Sequence, residues 1–97
     1  MKLRFAPRAI ANLVEIADYF SERNPEAARR IRSDIYAALE DILLFPGAGR
    51  TQNVDTVRKY VTRKYAYLVY YRVDDREDEL VVLSIRHPAR RREYEDF

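Results

Sequence analysis

Residues 65–73, YAYLVYYRV, and residues 80–86, LVVLSIR, are two runs of aromatic and β-branched residues separated by the acidic segment DDRED at 74–78. Such residues suit the pleated, half-buried surface of a strand. A short polar connection between two of them folds the pair into an antiparallel hairpin. That hairpin sets the centre of a sheet, and the rest of the chain must pack against it. A third, shorter run at 56–61 adds a strand before it, and Pro88 stops the last one.

The upstream half is helical. Residues 2–6, KLRFA, alternate apolar and basic and predict a short N-terminal strand. Pro7 suits a first helical turn, where its missing N–H costs nothing. Ile10, Leu13, Val14, Ala17 and Phe20 then recur at helical spacing, opposite Asn12, Glu15, Asp18 and Glu22, which predicts an amphipathic helix over 7–22. Asn24–Pro25 restarts the pattern, as cap and first residue of a second helix, with Glu26 favoured by the helix dipole. Its stripe is Ala28, Ile31, Ile35, Ala38, Leu39, Ile42 and Leu43, and Phe45–Pro46–Gly47 ends it. Two long helices with so short a junction lie antiparallel. Residues 47–56 have no apolar period and predict a loop. The fold class expected is therefore α+β, in the order β-α-α-β-β-β. A helical hairpin packs on a largely antiparallel sheet, the other sheet face stays open, and residues 89–97 form a short tail or helix. One domain over residues 1–97 is expected.

Composition narrows the function classes. There is no cysteine and a single histidine, His87, so neither a disulfide scaffold nor a cysteine- or multi-histidine metal site is expected. No apolar run approaches the roughly 18 residues of a membrane span. The expected setting is cytoplasmic, with no membrane partner and no cofactor. Net charge is only +2, but it is unevenly spread. Between Gly47 and Arg72, Arg50, Arg58, Lys59, Arg63, Lys64 and Arg72 face one acid, Asp55. Arg86, Arg90, Arg91 and Arg92 follow with no acid between Ser84 and Arg92. A basic half of this kind suits an anionic or polar partner surface.

Several segments together resemble the RelE/ParE toxin family. They are the apolar spacing of Ala9–Phe20, NPEAARR at 24–30, LxxIxxFPGxGR at 39–50, Val57–Arg58, the YLVYYRV strand and IRHPARR at 85–91. The resemblance covers nearly the whole chain. It implies the toxin of a type II toxin–antitoxin system, used in plasmid stabilisation and growth inhibition. Such a toxin is held in a hetero-oligomer by an antitoxin, here expected to be of the ribbon-helix-helix type. The ParE branch, which poisons DNA gyrase without being a nuclease, is the nearer in NPEAA, FPGxGR and YYRV. The RelE branch, ribosome-dependent mRNA endonucleases, usually carries a basic residue where this chain has Tyr67. A non-toxic relic of the fold is a third reading.

Each branch asks for different residues. RNA cleavage through the ribose 2′-hydroxyl needs a base, an acid and cations around one phosphorus. For that chemistry the candidates are Arg58, Arg63, His87, Arg90 and Tyr94. For binding a target they are Arg58, Lys59, Arg63, Arg86, His87 and Arg90, with Arg58 expected to converge with His87 and Arg90 on the open sheet face. Structural readings stand beside these. Arg58 could pair with an acid, His87 could act as a cap before Pro88, and Tyr65, Tyr67, Tyr70 and Tyr71 could simply pack the sheet.

Overall fold

The computed structural model describes residues 1–54 and 56–89. The elements are β1 (Lys2–Phe5), α1 (Pro7–Arg23), α2 (Pro25–Leu44), β2 (Arg50–Thr51), β3 (Val57–Val61), β4 (Leu68–Asp74) and β5 (Glu79–Arg86). They form the α+β arrangement the sequence predicts, with both helices packed on a five-stranded sheet of order β1-β5-β4-β3-β2. The pairings β2–β3, β3–β4 and β4–β5 are antiparallel. β1 instead lies parallel to β5, with Leu3 opposite Leu80 and Phe5 opposite Val82.

Both helix starts follow the expected chemistry. Ala6 is extended and Pro7 opens α1, while the Asn24 side chain accepts the Ala27 N–H at 3.1 Å and Pro25 opens α2. The α2 stripe is as expected, with Ile31, Ile35, Ala38, Leu39 and Ile42 buried. The α1 stripe is rotated. Ala9, Leu13, Ile16 and Phe20 face the core, whereas Ile10 and Val14 are each 52% exposed. An apolar residue every three to four positions on both sides of 9–20 makes the two faces alike in hydrophobicity. Small Ala9 decides between them by letting the helix sit close on the sheet.

Two boundaries also move. Arg50–Thr51, expected in a loop, pairs with Lys59 and Arg58 as an edge strand. Two residues are too few to show a period. Residues 65–67, expected in the strand before DDRED, instead complete a turn. Ala66 there has φ 57°, and Thr62 pairs with Tyr67 through Thr62 N–H to Tyr67 O (2.9 Å) and Tyr67 N–H to Thr62 Oγ1 (2.9 Å).

The main core joins the helix stripes to Tyr67, Val69 and Tyr71 of β4 and its approach and to Leu80, Val82 and Ile85 of β5. The opposite face is not open, contrary to expectation. Strand alternation places Leu68 and Tyr70 there, and with Val57 they form a second buried cluster packed against Leu83. The short tail or helix expected at 89–97 lies, from residue 90, outside the described residues.

Candidate functional site

Arg58 stands on the side of β3 that faces the helices, two residues before Tyr60, whose hydroxyl reaches Asp41 of α2 at 2.8 Å. Among the described residues it pairs with no acid. Its Nη1 donates to Gly49 O at 2.8 Å and to Gly47 O at 3.4 Å, so it grips the connection leaving α2. Tyr71, fully buried and opposite Arg58 in the sheet, grips the same connection with both capacities of its hydroxyl. It donates to Pro46 O at 2.7 Å and accepts from Gly49 N–H at 2.9 Å. Burial pushes the Tyr71 phenol above its ordinary value, against the Gly49 bond and the Arg58 charge, so it stays protonated. Glycine at 49 is required by closeness: a Cβ there would lie 2.7 Å from Tyr71 Oη and 3.0 Å from Lys59 O. The loop FPGAG is thus latched to the sheet.

A second anchor, missed by reading the sequence, is Asp34. It is only 6% exposed although it lies on α2. Its carboxylate accepts the Lys64 N–H at 3.1 Å and the Tyr65 N–H at 2.8 Å, holding the turn between β3 and β4 against the helix. Burial works to raise this carboxyl, but the Thr62 hydroxyl, the two amides and the Lys64 charge outweigh it. The group is held below the ordinary carboxylate value. The signal that could have found it is its place three residues after Ile31 and four before Ala38, at the edge of the buried stripe, although its partners lie about thirty positions away.

Arg63 lies in that same turn, exposed, with Nη2 3.1 Å from Asp41 Oδ2. Asp41 and the Tyr60 hydroxyl hold its guanidinium protonated still more firmly than usual, Tyr60 contributing most. Lys59 points to the other sheet face and stands opposite Arg50.

His87 lies at the far end of β5, in an open cleft of about 800 Å³ between α1 and the sheet, lined also by Asn12, Tyr19, Arg23, Tyr67 and Arg86. Its ring meets Tyr67 edge-on at 5.5 Å, and its Nδ1 accepts the Ala89 N–H at 3.1 Å, the capping contact of a residue before proline. Arg23 sits 4.2 Å above the Tyr19 ring and donates to Tyr19 O at 2.8 Å. Burial, with a smaller push from Tyr19, raises the Tyr67 phenol. Tyr67, Tyr70 and Tyr71 are all buried, as sheet packing requires, and Tyr65 is half-buried.

The structure therefore brings His87 and Arg86 to one cleft and leaves Arg58 elsewhere. Arg58 pairs across β4 with Val82, whereas Val61 and Leu68 lead to Arg86. The two sites are roughly 10 Å apart along the strands and roughly 10 Å across them. Arg58 and His87 do not converge on an open face, because β4 stands between their strands and Arg58 turns to the helices. Arg90 and Tyr94 lie outside the described residues. Among the described residues no group of three or more metal-binding side chains occurs, and no helix is long and apolar enough to cross a membrane.

Comparison with known proteins agrees with this geometry. Over 90% of this chain and 95% of its own, the structure of the chromosomal ParDE TA system from P. aeruginosa superimposes with a TM-score of 0.75 at 27% identity. E. coli toxin RelE, in a mutant form in the free state, superimposes over 98% of this chain and 90% of its own, with a TM-score of 0.70 at 21% identity. A protein of Sinorhizobium fredii (strain NBRC 101917 / NGR234), named "Putative toxin Y4kP", is 28% identical over 86 residues, 89% of this chain and 86% of its own length. The fold is that of the RelE/ParE superfamily of type II toxins. A sequence profile described as the ParE toxin of the type II toxin–antitoxin system, parDE, matches residues 3–92, and the chain belongs to that family.

Proposed function

We propose that this toxin arrests bacterial growth from the cytoplasm by binding DNA gyrase, and that a cognate antitoxin of the ribbon-helix-helix type holds it inactive in a hetero-oligomer. The observation that carries the choice of a binder over an endoribonuclease is the separation of the candidate catalytic groups. Phosphodiester cleavage needs base, acid and cations around one phosphorus. Among the described residues, Arg58 is spent on the carbonyls of the latched loop, Arg63 on Asp41, and His87 stands across β4 from Arg58. The antitoxin is supported by two solved relatives that are themselves a ParDE system and an intact RelBE toxin–antitoxin complex. The exposed Ile10 and Val14 add an apolar surface that a partner helix can cover.

The test is induction in a bacterial host, reading the DNA-damage response and mRNA ends together, with purified gyrase assayed for supercoiling. Arrest with an SOS response and inhibited supercoiling is the expected result. Arrest with ribosome-phased mRNA cuts and no SOS response replaces this reading with the RelE-type endonuclease. No arrest at all makes the chain a non-toxic relic of the fold.

A further inference from the structure

A second open groove, of about 490 Å³, runs between α2 and the turn that joins β3 to β4. On the helix side the small Ser33 and Ala37 leave room for a chain to come close, flanked by Arg29 and Arg30. Arg63 and Lys64 stand on the turn side, and all four cations are exposed. The turn is held firmly. Asp34 accepts its Lys64 and Tyr65 amides at 3.1 and 2.8 Å, and Thr62 pairs with Tyr67 across it. A partner therefore meets cations on a backbone already in place, with less ordering entropy to lose.

The carboxylates nearby are occupied or covered. Glu26 pairs with Arg29, Asp41 with Arg63 and the Tyr60 hydroxyl, and Asp34, 6% exposed, with the two amides. Among the described residues Arg30 and Lys64 form no ion pair, and Lys64 reaches Asp34 only through its field. One uncompensated cation on each wall suits two anionic groups arriving on the same chain. A nucleic-acid strand would bring bases that need aromatic faces to stack on. The one aromatic among the described lining residues, Tyr65, is half-buried in the turn. A docked α-helix is roughly 10–12 Å across and needs an apolar stripe to lie on, which these walls lack. An extended acidic peptide satisfies both walls.

Position selects the antitoxin as the source of that peptide. Tyr36, 51% exposed, lies two residues past Asp34 and so on the opposite side of α2 from the turn. A chain that covers Ile10 and Val14 of α1 and passes over Tyr36 reaches Ser33 and Ala37 next. We propose that an extended acidic segment of the cognate antitoxin lies in the groove between α2 and the β3–β4 turn, its carboxylates taken by Arg30 and Lys64; this rests on the reading of the chain as a toxin held by an antitoxin. Arg29 and Arg63, already paired at the margins, add to the field that draws the segment in.

The full chain carrying Arg30→Glu, Lys64→Glu or both is titrated against the antitoxin encoded beside it, and toxicity is read with and without that antitoxin. Arg76→Glu, exposed in the turn between β4 and β5, makes the same charge change away from any binding surface. Circular dichroism and urea midpoints check folding, and Arg30→Gln and Lys64→Gln repeat the test if a reversal fails to fold. Each reversal is expected to weaken antitoxin binding about tenfold, the scale of one charge-assisted hydrogen bond, and the pair about a hundredfold. Added salt should weaken wild type more than the double variant. The variants are expected to stay toxic, to need more antitoxin for neutralisation, and to be rescued by an antitoxin whose acidic segment is changed to lysine. Wild-type affinity in the folded double variant overturns the proposal, as does equal weakening by Arg76→Glu, which would make the effect one of overall charge. Loss of toxicity with antitoxin binding kept overturns it by making the groove the target's seat. Binding of oligothymidine that the reversals abolish overturns it in favour of a nucleic acid. A wild-type chain that binds no protein encoded beside it overturns the antitoxin reading itself, and the groove's occupant with it.

Discussion

Replacing Tyr71 by phenylalanine removes one oxygen atom and should unclamp the loop after α2. The ring is fully buried and remains, so no cavity term enters. What is lost is the acceptor of the Gly49 N–H and the donor to Pro46 O. Gly49 is buried, so its amide is left without water as well as without its partner. An orphaned buried donor costs about 1–3 kcal/mol and an ordinary lost hydrogen bond about 0.5–1.5 kcal/mol. The expected destabilisation is about 2–3 kcal/mol, well inside the about 5–15 kcal/mol of an ordinary domain. At about 4–8 °C per kcal/mol for a chain of this size, the melting temperature should fall by roughly 10–20 °C. Urea unfolding is the direct assay, with the midpoint lowered and the slope unchanged. A cycle with Gly49→Ala sharpens it. The added Cβ meets Tyr71 Oη at 2.7 Å and Cε1 at 2.8 Å; only the first contact disappears with the oxygen, so the double variant should lose somewhat less than the sum of the two while most of the Gly49→Ala cost remains. A Tyr71→Phe protein within about 0.5 kcal/mol of wild type, the range of ordinary surface substitutions, would refute the latch.

Three further outcomes are expected. Asp34 is held below its unfolded value of about 3.9, so its contribution is present above that pH and lost as pH falls through the folded value. Asp34→Asn should therefore flatten the stability–pH curve below about pH 4, and a curve as steep as wild type argues against the anchor. Arg58→Ala should cost about 1–2 kcal/mol through the Gly49 carbonyl and relieve growth arrest while the chain still folds by circular dichroism; full toxicity at matched expression would count against it. His87→Ala should leave most of the toxicity, whereas its complete loss together with mRNA cuts would point to a nuclease.

The architecture was legible wherever a local signal coincided with burial. Pro7 and Asn24–Pro25 mark the helix starts, and the stripe from Ile31 to Ile42 names the face of α2 without ambiguity. The face of α1 was not legible, because Ala9, Leu13 and Ile16 and Ile10, Val14 and Ala17 are equally apolar series one step apart. The partner of β1 was hidden because parallel pairing leaves no turn between the strands to read. At the candidate site the residue types were visible and their employment was not. Arg58 reads as a cation available to a target until Gly47 and Gly49, about ten positions away, present their carbonyls to it. Asp34 reads as solvated until the turn at Lys64–Tyr65 folds back on it. Phe45 reads only as part of the signal that ends α2, and that it and Leu44 stand exposed there is visible only in the folded chain.

The parallel pairing of β1 with β5 sets an order of events. Strand β1 finds its partner only after β5, far along the chain, has been made, so the sheet of the described residues cannot close before then. Contacts of such sequence separation slow folding. Until they form, α1 and α2 expose both of their apolar faces, including the Ile10–Val14 side that stays exposed afterwards. An antitoxin already present in the cell could meet that surface on the nascent toxin, and neutralisation would then begin before the poison is finished.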